Sequence, residues 1–380
     1  MTRIAMVAAE ASSDQLAAHL IRALRVQLPH ARFVGIGGPR MEAEGFDAWW
    51  SMDILSVRGY AEALRSYRKI AALRRRLVAR LLDESPAMYI GIDGSDFNLG
   101  VEKRLRARGV PTVQFVSPSI WAWRGGRIRR IEAAVDHVLA LYPFEPALYE
   151  KTRTRCTFVG HPMADVIPLH GDKAAMRETL GIPAKAQVVA LLPGSRRSEL
   201  EHLAPVFIET AKRLLQRFPG VRFLVPLASR ETRAQFEQSR WELDADELPM
   251  TLMFGHAQQA MTAADVVLVA SGTATLETAL VGRPMVIAYR MSKMSWRIMR
   301  GMGYLPWVGL PNILAGRFVV PEFLQDDATP ENLAQAVGNL LVDRPAAEAM
   351  AQVFEGIHRQ LRQDTASKAA QALLPYLGRA

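Results

Sequence analysis

The stretch Asp265–Val281, D-V-V-L-V-A-S-G-T-A-T-L-E-T-A-L-V, decides how the rest of the chain is read. Val266–Ala270 is an unbroken, mostly β-branched apolar run, the pattern of a strand buried on both faces. It stops at Ser271-Gly272-Thr273, and apolar residues return at helical spacing at Leu276, Ala279 and Leu280. Gly282 and Pro284 then end the helix, the glycine just past the last turn and the proline beyond it. A strand that feeds a tight turn and a helix N-terminus presents unpaired N–H groups and a positive dipole end, which suits phosphate. An ordinary capped crossover accounts for the same residues, so the choice falls to the rest of the chain.

The chain has 380 residues, enough for two domains with separate cores. Hydrophobic content of 49% and charged content of 22% are those of a soluble globular protein. The single cysteine, Cys156, excludes a disulfide framework and a cysteine-built zinc cluster, and fits a reducing cytosol. No apolar run approaches the roughly 20 residues of a membrane-spanning helix, and the early Glu10 and Asp14 argue against a signal peptide. The net charge of +9 is concentrated in residues 1–170, which hold 24 Lys/Arg against 17 Asp/Glu. A basic half implies an anionic partner, and charge alone does not separate nucleic acid from anionic lipid.

Runs at Ile4–Ala8, Phe33–Ile36, Met88–Ile92, Val113–Val116, His137–Leu141 and Cys156–Val159 read as strands alternating with helices. The G-I-G-G loop after Phe33–Ile36 is not a dinucleotide fingerprint, because it follows the second strand and lacks the last glycine. Residues 58–82 form a helix whose apolar stripe runs through Leu64, Tyr67, Ile70, Leu73, Leu77 and Leu81. Its other faces carry Arg65, Arg68, Lys69, Arg74, Arg75, Arg76 and Arg80. Two readings stay open: a core-packed helix with a solvated basic face, or a surface helix that meets anionic headgroups at about 1 kcal/mol per basic residue. Nucleic acid is disfavoured, since no aromatic residues interleave these cations in the manner of a single-strand binder.

Ligands in open α/β sheets sit at the carboxyl ends of strands, where Asp93 and Asp96 fall. Asp96 is expected to cap the following helix, which leaves Asp93 as the catalytic candidate. Trp121 and Trp123, in the loop after Val113–Val116, read either as packing residues or as a wall of a substrate cleft. A polar stretch through Asp172 reads as the interdomain linker. A second α/β set begins at Val188–Leu192, whose loop P-G-S-R-R-S-E-L offers Gly194, Ser195 and Arg196 as a second anion site. Further strands are expected at Phe223–Pro226, Met250–Met253, Val266–Ala270 and Met285–Ala288. Glu277, one turn into the helix of the opening stretch, could accept ribose hydroxyls or simply favour the helix dipole. Asp244 and Asp246 form a D-x-D in a polar connection and read as solvated loop. The chain has no Walker A loop, H-E-x-x-H, G-x-S-x-G or metal-spaced Cys/His set.

The motifs A-E-A-S-S-D, G-I-G-G-P-R-M, G-I-D-G-S-D-F-N, V-S-P-S-I-W-A-W-R, L-Y-P-F-E, F-V-G-H-P-M-A-D, L-L-P-G-S-R-R-S-E, A-S-G-T-A-T-L-E and L-P-N-I-L-A-G-R run nearly end to end. In them the chain resembles the lipid-A-disaccharide synthase family of GT-B-type glycosyltransferases, and S-P-S-I-W-A-W and L-P-N-I-L-A-G are the specific ones. The resemblance implies two doubly wound parallel-sheet domains facing across a cleft: an acceptor-side domain 1–165, a UDP-sugar domain 166–345, and C-terminal helices 346–380 packing back toward the first. It implies inverting transfer of 2,3-diacylglucosamine from UDP to 2,3-diacylglucosamine 1-phosphate, with no metal or other cofactor. Glu10 and Asp93 fall on the family's acidic positions. Arg196 and Asn312 join Gly194, Ser195, Ser271, Gly272, Thr273 and Glu277 on the UDP side. Trp121, Trp123, Arg74, Arg75 and Arg76 are assigned to the acceptor and membrane side, against the anionic inner face of the inner membrane; a homodimer is allowed. Departures from the family pattern are Ser13 for glycine, Gly94-Ser95 for Ala-Pro, and Arg58 for an apolar residue. The alternatives are another UDP-sugar enzyme of this fold, such as a UDP-N-acetylglucosamine 2-epimerase or the peptidoglycan N-acetylglucosaminyl transferase, or a non-catalytic nucleotide-sugar or anionic-lipid binder.

Overall fold

In the computed structural model the described residues are 2–55, 60–121, 125–292, 294, 296–297 and 306–377, with backbone alone for 60–67 and 125. They divide into two compact units, 1–165 with 361–380, and 166–360. Trp123 and Arg58 lie outside the described residues.

The first unit is built on β1 (Arg3–Ala8), β2 (Arg32–Gly37), β3 (Phe46–Ser51), β4 (Met88–Ile92), β5 (Thr112–Phe115), β6 (His137–Ala140) and β7 (Arg155–Phe158). They form one parallel sheet in the order β3-β2-β1-β4-β5-β6-β7. Alternate residues of β1 point to opposite faces, and both faces are covered. Ile4, Met6 and Ala8 meet the helices Ala11–Gln27 and Thr365–Leu377, while Ala5 and Val7 meet Leu73, Leu77, Leu81, Phe97 and Val101 of the helices Tyr60–Glu84 and Ser95–Arg106. Burial on two sides is why these strands read as unbroken apolar runs.

The second unit repeats the plan with β8 (Val188–Leu192), β9 (Arg222–Leu227), β10 (Met250–Phe254), β11 (Val266–Ala270), β12 (Met285–Tyr289) and β13 (Glu322–Leu324), parallel in the order β10-β9-β8-β11-β12-β13. Asp265, which opens the stretch quoted first, anchors the foot of β11. Burial would raise its carboxyl, but Lys173, the Val188 N–H (2.8 Å) and Arg177 (2.9 Å) hold it below the usual range.

Two expectations change here. The strands β3 and β13 were not expected; each lies at a sheet edge with one neighbour, so neither needs a continuous apolar run. The C-terminal helices do not act as one block. Arg344–Leu361 lies almost wholly in the second unit, whereas Thr365–Leu377 packs in the first, where Ala369, Ala370, Leu373 and Leu377 join the core of Leu16, Leu20 and Leu24. Asp165 fixes that return by accepting the N–H groups of Gln363 (3.1 Å), Asp364 (3.0 Å) and Thr365 (2.8 Å).

Candidate active site

Strand order reverses direction between β1 and β4 in the first sheet and between β8 and β11 in the second, the places where open α/β sheets leave a crevice. Ala8 pairs with Ile92 in register, so the chain leaves the sheet side by side at Glu10 and at Asp93. Both side chains are exposed. Glu10 caps the helix Ala11–Gln27, and Ser13 closes the turn: its Oγ accepts the N–H groups of Ala9 (3.1 Å) and Glu10 (2.9 Å). Ser13 therefore ties the loop down. Asp14, one residue on, is buried and accepts the N–H groups of Gly38, Arg40 and Met41 at 3.0–3.1 Å, joining this motif to G-I-G-G-P-R-M.

Asp93 has φ +52° and Gly94 φ +47°. A left-handed non-glycine residue costs on the order of 1–3 kcal/mol and persists only where its surroundings hold it. Here they do. The Asp93 N–H donates to the Phe115 carbonyl (2.8 Å), and its own carbonyl accepts Asn98 Nδ2 (2.9 Å) and Gln114 Nε2 (2.8 Å). Asn98 and Gln114 are fully buried, and Tyr89 donates to Asn98 Oδ1 at 2.8 Å. The elbow thus rests on a polar layer inside the sheet. Glu102 lies fully buried in that layer with neither oxygen hydrogen-bonded among the described residues, and burial pushes its carboxyl well above the usual range. Asp96 is not the cap: Gly94 is, and Ser95 begins the helix. Asp96 lies in the first turn and pairs with Arg127.

S-P-S-I-W, L-Y-P-F-E and G-H-P converge beyond β5, β6 and β7. Trp121 meets Tyr142 and Phe144 edge-on, with ring centres 6.1 and 5.5 Å apart, and Tyr142 stacks on Phe144 and His161. Glu145 is buried beneath them. Burial pushes its carboxyl up to about 7, against the opposing pull of the Tyr142 and Leu141 N–H groups and Ser117. Trp121 Nε1 is buried without a hydrogen-bond partner. Burial lowers His161 to about 4. Glu145 and His161 were not singled out from the sequence, although both stand in its motifs.

In the second unit Val269 pairs with Leu192, which brings the two expected anion turns together at the sheet's switch point. Ser271 and Glu277 are half-buried, Gly272 and Thr273 exposed. The first N–H groups of the helix Thr273–Leu280 have no intrahelical partner. Burial raises the Glu277 carboxyl. Two assignments need correcting. The N–H groups of Ser195 and Arg196 are not free, because Glu199 Oε2 accepts both (2.9 and 3.2 Å). Gly194 (φ +124°) is required there, since a Cβ would stand 2.6 Å from that carboxylate. What this turn offers a ligand is the Arg196 side chain, 80% exposed.

Asn312 is the second correction. It is fully buried, and its amide is saturated: Nδ2 donates to the Val320 carbonyl (2.9 Å) and Glu322 Oε1 (2.7 Å), and Oδ1 accepts the Val319 (2.7 Å) and Val320 (2.8 Å) N–H groups. Glu322 also accepts the N–H groups of Val308 and Gly309 (2.9 Å each), and the Val308 carbonyl faces Ser271 Oγ at 3.4 Å. Asn312 is a positioning residue that, with Glu322, holds the 308–312 loop beside the Ser271 turn.

Arg74 also departs from expectation. Its guanidinium is 5.1 Å from the centre of the Phe97 ring and donates to the Asp96 carbonyl (3.2 Å), so it braces the helix Ser95–Arg106 rather than facing outward; Arg75 and Arg76 are exposed. Among the described residues no helix is long and apolar enough to cross a membrane, and no group of three or more His, Cys, Asp or Glu is placed to hold a metal ion.

Two doubly wound parallel sheets, each with polar groups at its switch point, define the class: a GT-B-type protein. The HepE protein of Anabaena, solved in complex with UDP and glucose, shares this fold (TM-score 0.59, 15% identity, 99% of each chain). So does MurG of Acinetobacter baumannii (TM-score 0.55, 15% identity, 100% of each chain). The family model described as lipid-A-disaccharide synthetase matches residues 4–374. Lipid-A-disaccharide synthases of Aromatoleum aromaticum and Dechloromonas aromatica are each 59% identical to it, over 100% and 99% of this chain and 97% and 98% of theirs. The chain belongs to the lipid-A-disaccharide synthase family, and is thereby a glycosyltransferase of lipid A biosynthesis.

Proposed function

We propose that the protein transfers 2,3-diacylglucosamine from UDP to the 6-hydroxyl of 2,3-diacylglucosamine 1-phosphate, with inversion at the anomeric carbon. The product is the β-1,6-linked disaccharide 1-phosphate, and UDP leaves. Inversion calls for a single in-line displacement, in which one base removes the acceptor proton as the new bond forms. A positioned carboxylate contributes about 10²–10⁴-fold to such a step. The observation that carries the reading is the Asp93 elbow, a strained backbone fixed by two buried amides with its carboxylate exposed. Glu10, on the adjacent strand end, is the second acidic group of this side.

The leaving diphosphate gains charge as the bond breaks. Arg196, the helix N-terminus at Gly272–Thr273 and the Ser271 hydroxyl supply cationic, N–H and O–H stabilisation for it. Glu277 is the group for the ribose hydroxyls. Exposed Arg75 and Arg76 support a peripheral association with the anionic inner face of the inner membrane, made from the cytoplasmic side.

Asp93→Asn keeps the shape of the side chain and removes the base. It is expected to lower kcat at least about 100-fold and to leave UDP affinity unchanged. Near-normal turnover of that variant would remove Asp93 from the mechanism.

A further inference from the structure

The helix that starts two residues after Asp93 forms one wall of an open groove of about 390 Å³. The opposite wall is the segment around the helix Ile128–Glu132. Among the described residues four cations line the groove, Lys103 from the first wall and Arg127, Arg129 and Arg130 from the second, with Asp96 the one acidic residue beside them. Asp96 is committed to Arg127. Lys103, Arg129 and Arg130 are exposed, and none has an ion-pair partner among the described residues. Three uncompensated like charges around one concavity repel one another, and an anion that enters it relieves that repulsion.

We propose that this groove binds the phosphate monoester of the acceptor and so determines acceptor specificity. The inference rests on the reaction proposed above, in which one sugar leaves a nucleotide and the other keeps its 1-phosphate throughout. The acceptor must place its 6-hydroxyl at Asp93 while its phosphate sits on C1, the other carbon that flanks the ring oxygen, one sugar's reach away. Ser95 and Asp96 line the groove two and three residues after Asp93, so base and groove are near enough to engage two substituents of one sugar. A phosphate monoester carries up to two negative charges, and charge-assisted hydrogen bonds from arginine are about twice as strong as neutral ones. The second unit's anion turns then take the diphosphate of the donor, and the two substrates are told apart by separate sites.

The test is the double variant Arg129→Gln/Arg130→Gln, changed at two exposed positions. It is assayed with 2,3-diacylglucosamine 1-phosphate and with the same lipid lacking the phosphate. The expected result is a KM for the phosphorylated acceptor raised about tenfold or more, with kcat, donor KM and the rate on the unphosphorylated acceptor unchanged. Lys103→Gln should move the same parameter in the same direction. Equal effects on both acceptors, or none on either, would overturn the proposal. So would variants that lose flotation with phosphatidylglycerol vesicles but keep their acceptor preference, since that would assign the groove to bilayer headgroups. Titration with glucosamine 1-phosphate reads the groove apart from turnover: the wild type should bind it and the double variant should not. If the wild type binds it but turns over neither lipid, the reaction reading fails and the groove stands.

Discussion

Asp93 stands in a backbone region that L-residues avoid, and the reason lies in two side chains, one near in sequence and one on another strand. Gln114 comes from the neighbouring strand and Asn98 from the next helix turn, and both grip the Asp93 carbonyl. The motif G-I-D-G-S-D-F-N already marked the aspartate, but nothing in it announces Gln114. Asn312 is the converse case. Its motif marked it, yet saturation of all four amide hydrogen bonds makes it a brace for the loop and not a ligand contact. Glu145 was missed because its chemistry comes from burial. With its carboxyl raised from 4.5 to about 7, the folded state holds that proton more tightly than the unfolded chain. Its contribution to stability is therefore lost as pH rises from about 4.5 to about 7, by about 3 kcal/mol in all. The neighbours Tyr142, Tyr149 and Cys156 stay neutral across this window, each pushed upward by burial. Glu145→Gln, which cannot ionise, should match the wild type near pH 4.5 and exceed its urea midpoint at pH 8. An equal difference at both pH values would contradict a buried carboxyl titrating there.

At the scale of elements, the helix Tyr60–Glu84 divides its arginines by job. Leu73, Leu77 and Leu81 sit against the sheet. Arg74 braces Phe97 and the Asp96 carbonyl, Arg80 lies over the Trp49 ring at 3.9 Å, and Arg75 and Arg76 face solvent. Arg75→Glu/Arg76→Glu should therefore weaken salt-sensitive binding to anionic vesicles with no loss of thermal stability. Arg74→Ala should lower stability and leave vesicle binding nearly intact. Vesicle binding that survived the double reversal would take this face out of any membrane contact. The amphipathic stripe was legible in the sequence; the sorting of adjacent arginines was not, because it depends on which neighbour lies within reach of each side chain. Edge strands were hidden for a related reason. Phe46–Ser51 carries two adjacent tryptophans and no alternation, and Glu322–Leu324 has three residues, so only pairing with β2 and β12 defines them.

At the scale of the whole molecule, chain order and structural membership part company at Leu361. The helix Thr365–Leu377 follows the second unit in sequence but completes the first unit's core, tethered by Asp165. Removing residues 361–380 should destabilise the first unit, with early loss of its unfolding transition, and leave UDP binding by the second unit intact. Loss of both together would place the helix's role elsewhere. The sequence by itself determined the two α/β sets, the strands buried on both faces, the turns at their carboxyl ends and the acidic and cationic residue types that the family chemistry uses. These are local matters of period, glycine and proline placement, and side-chain type. Only the tertiary structure decided that the Ser195 and Arg196 N–H groups already serve Glu199, that Asn312 faces inward, that Glu145 is buried, and that Lys103, Arg129 and Arg130 share one groove. Each of these depends on burial and on partners that the fold brings together, and no spacing along a chain encodes those one residue at a time.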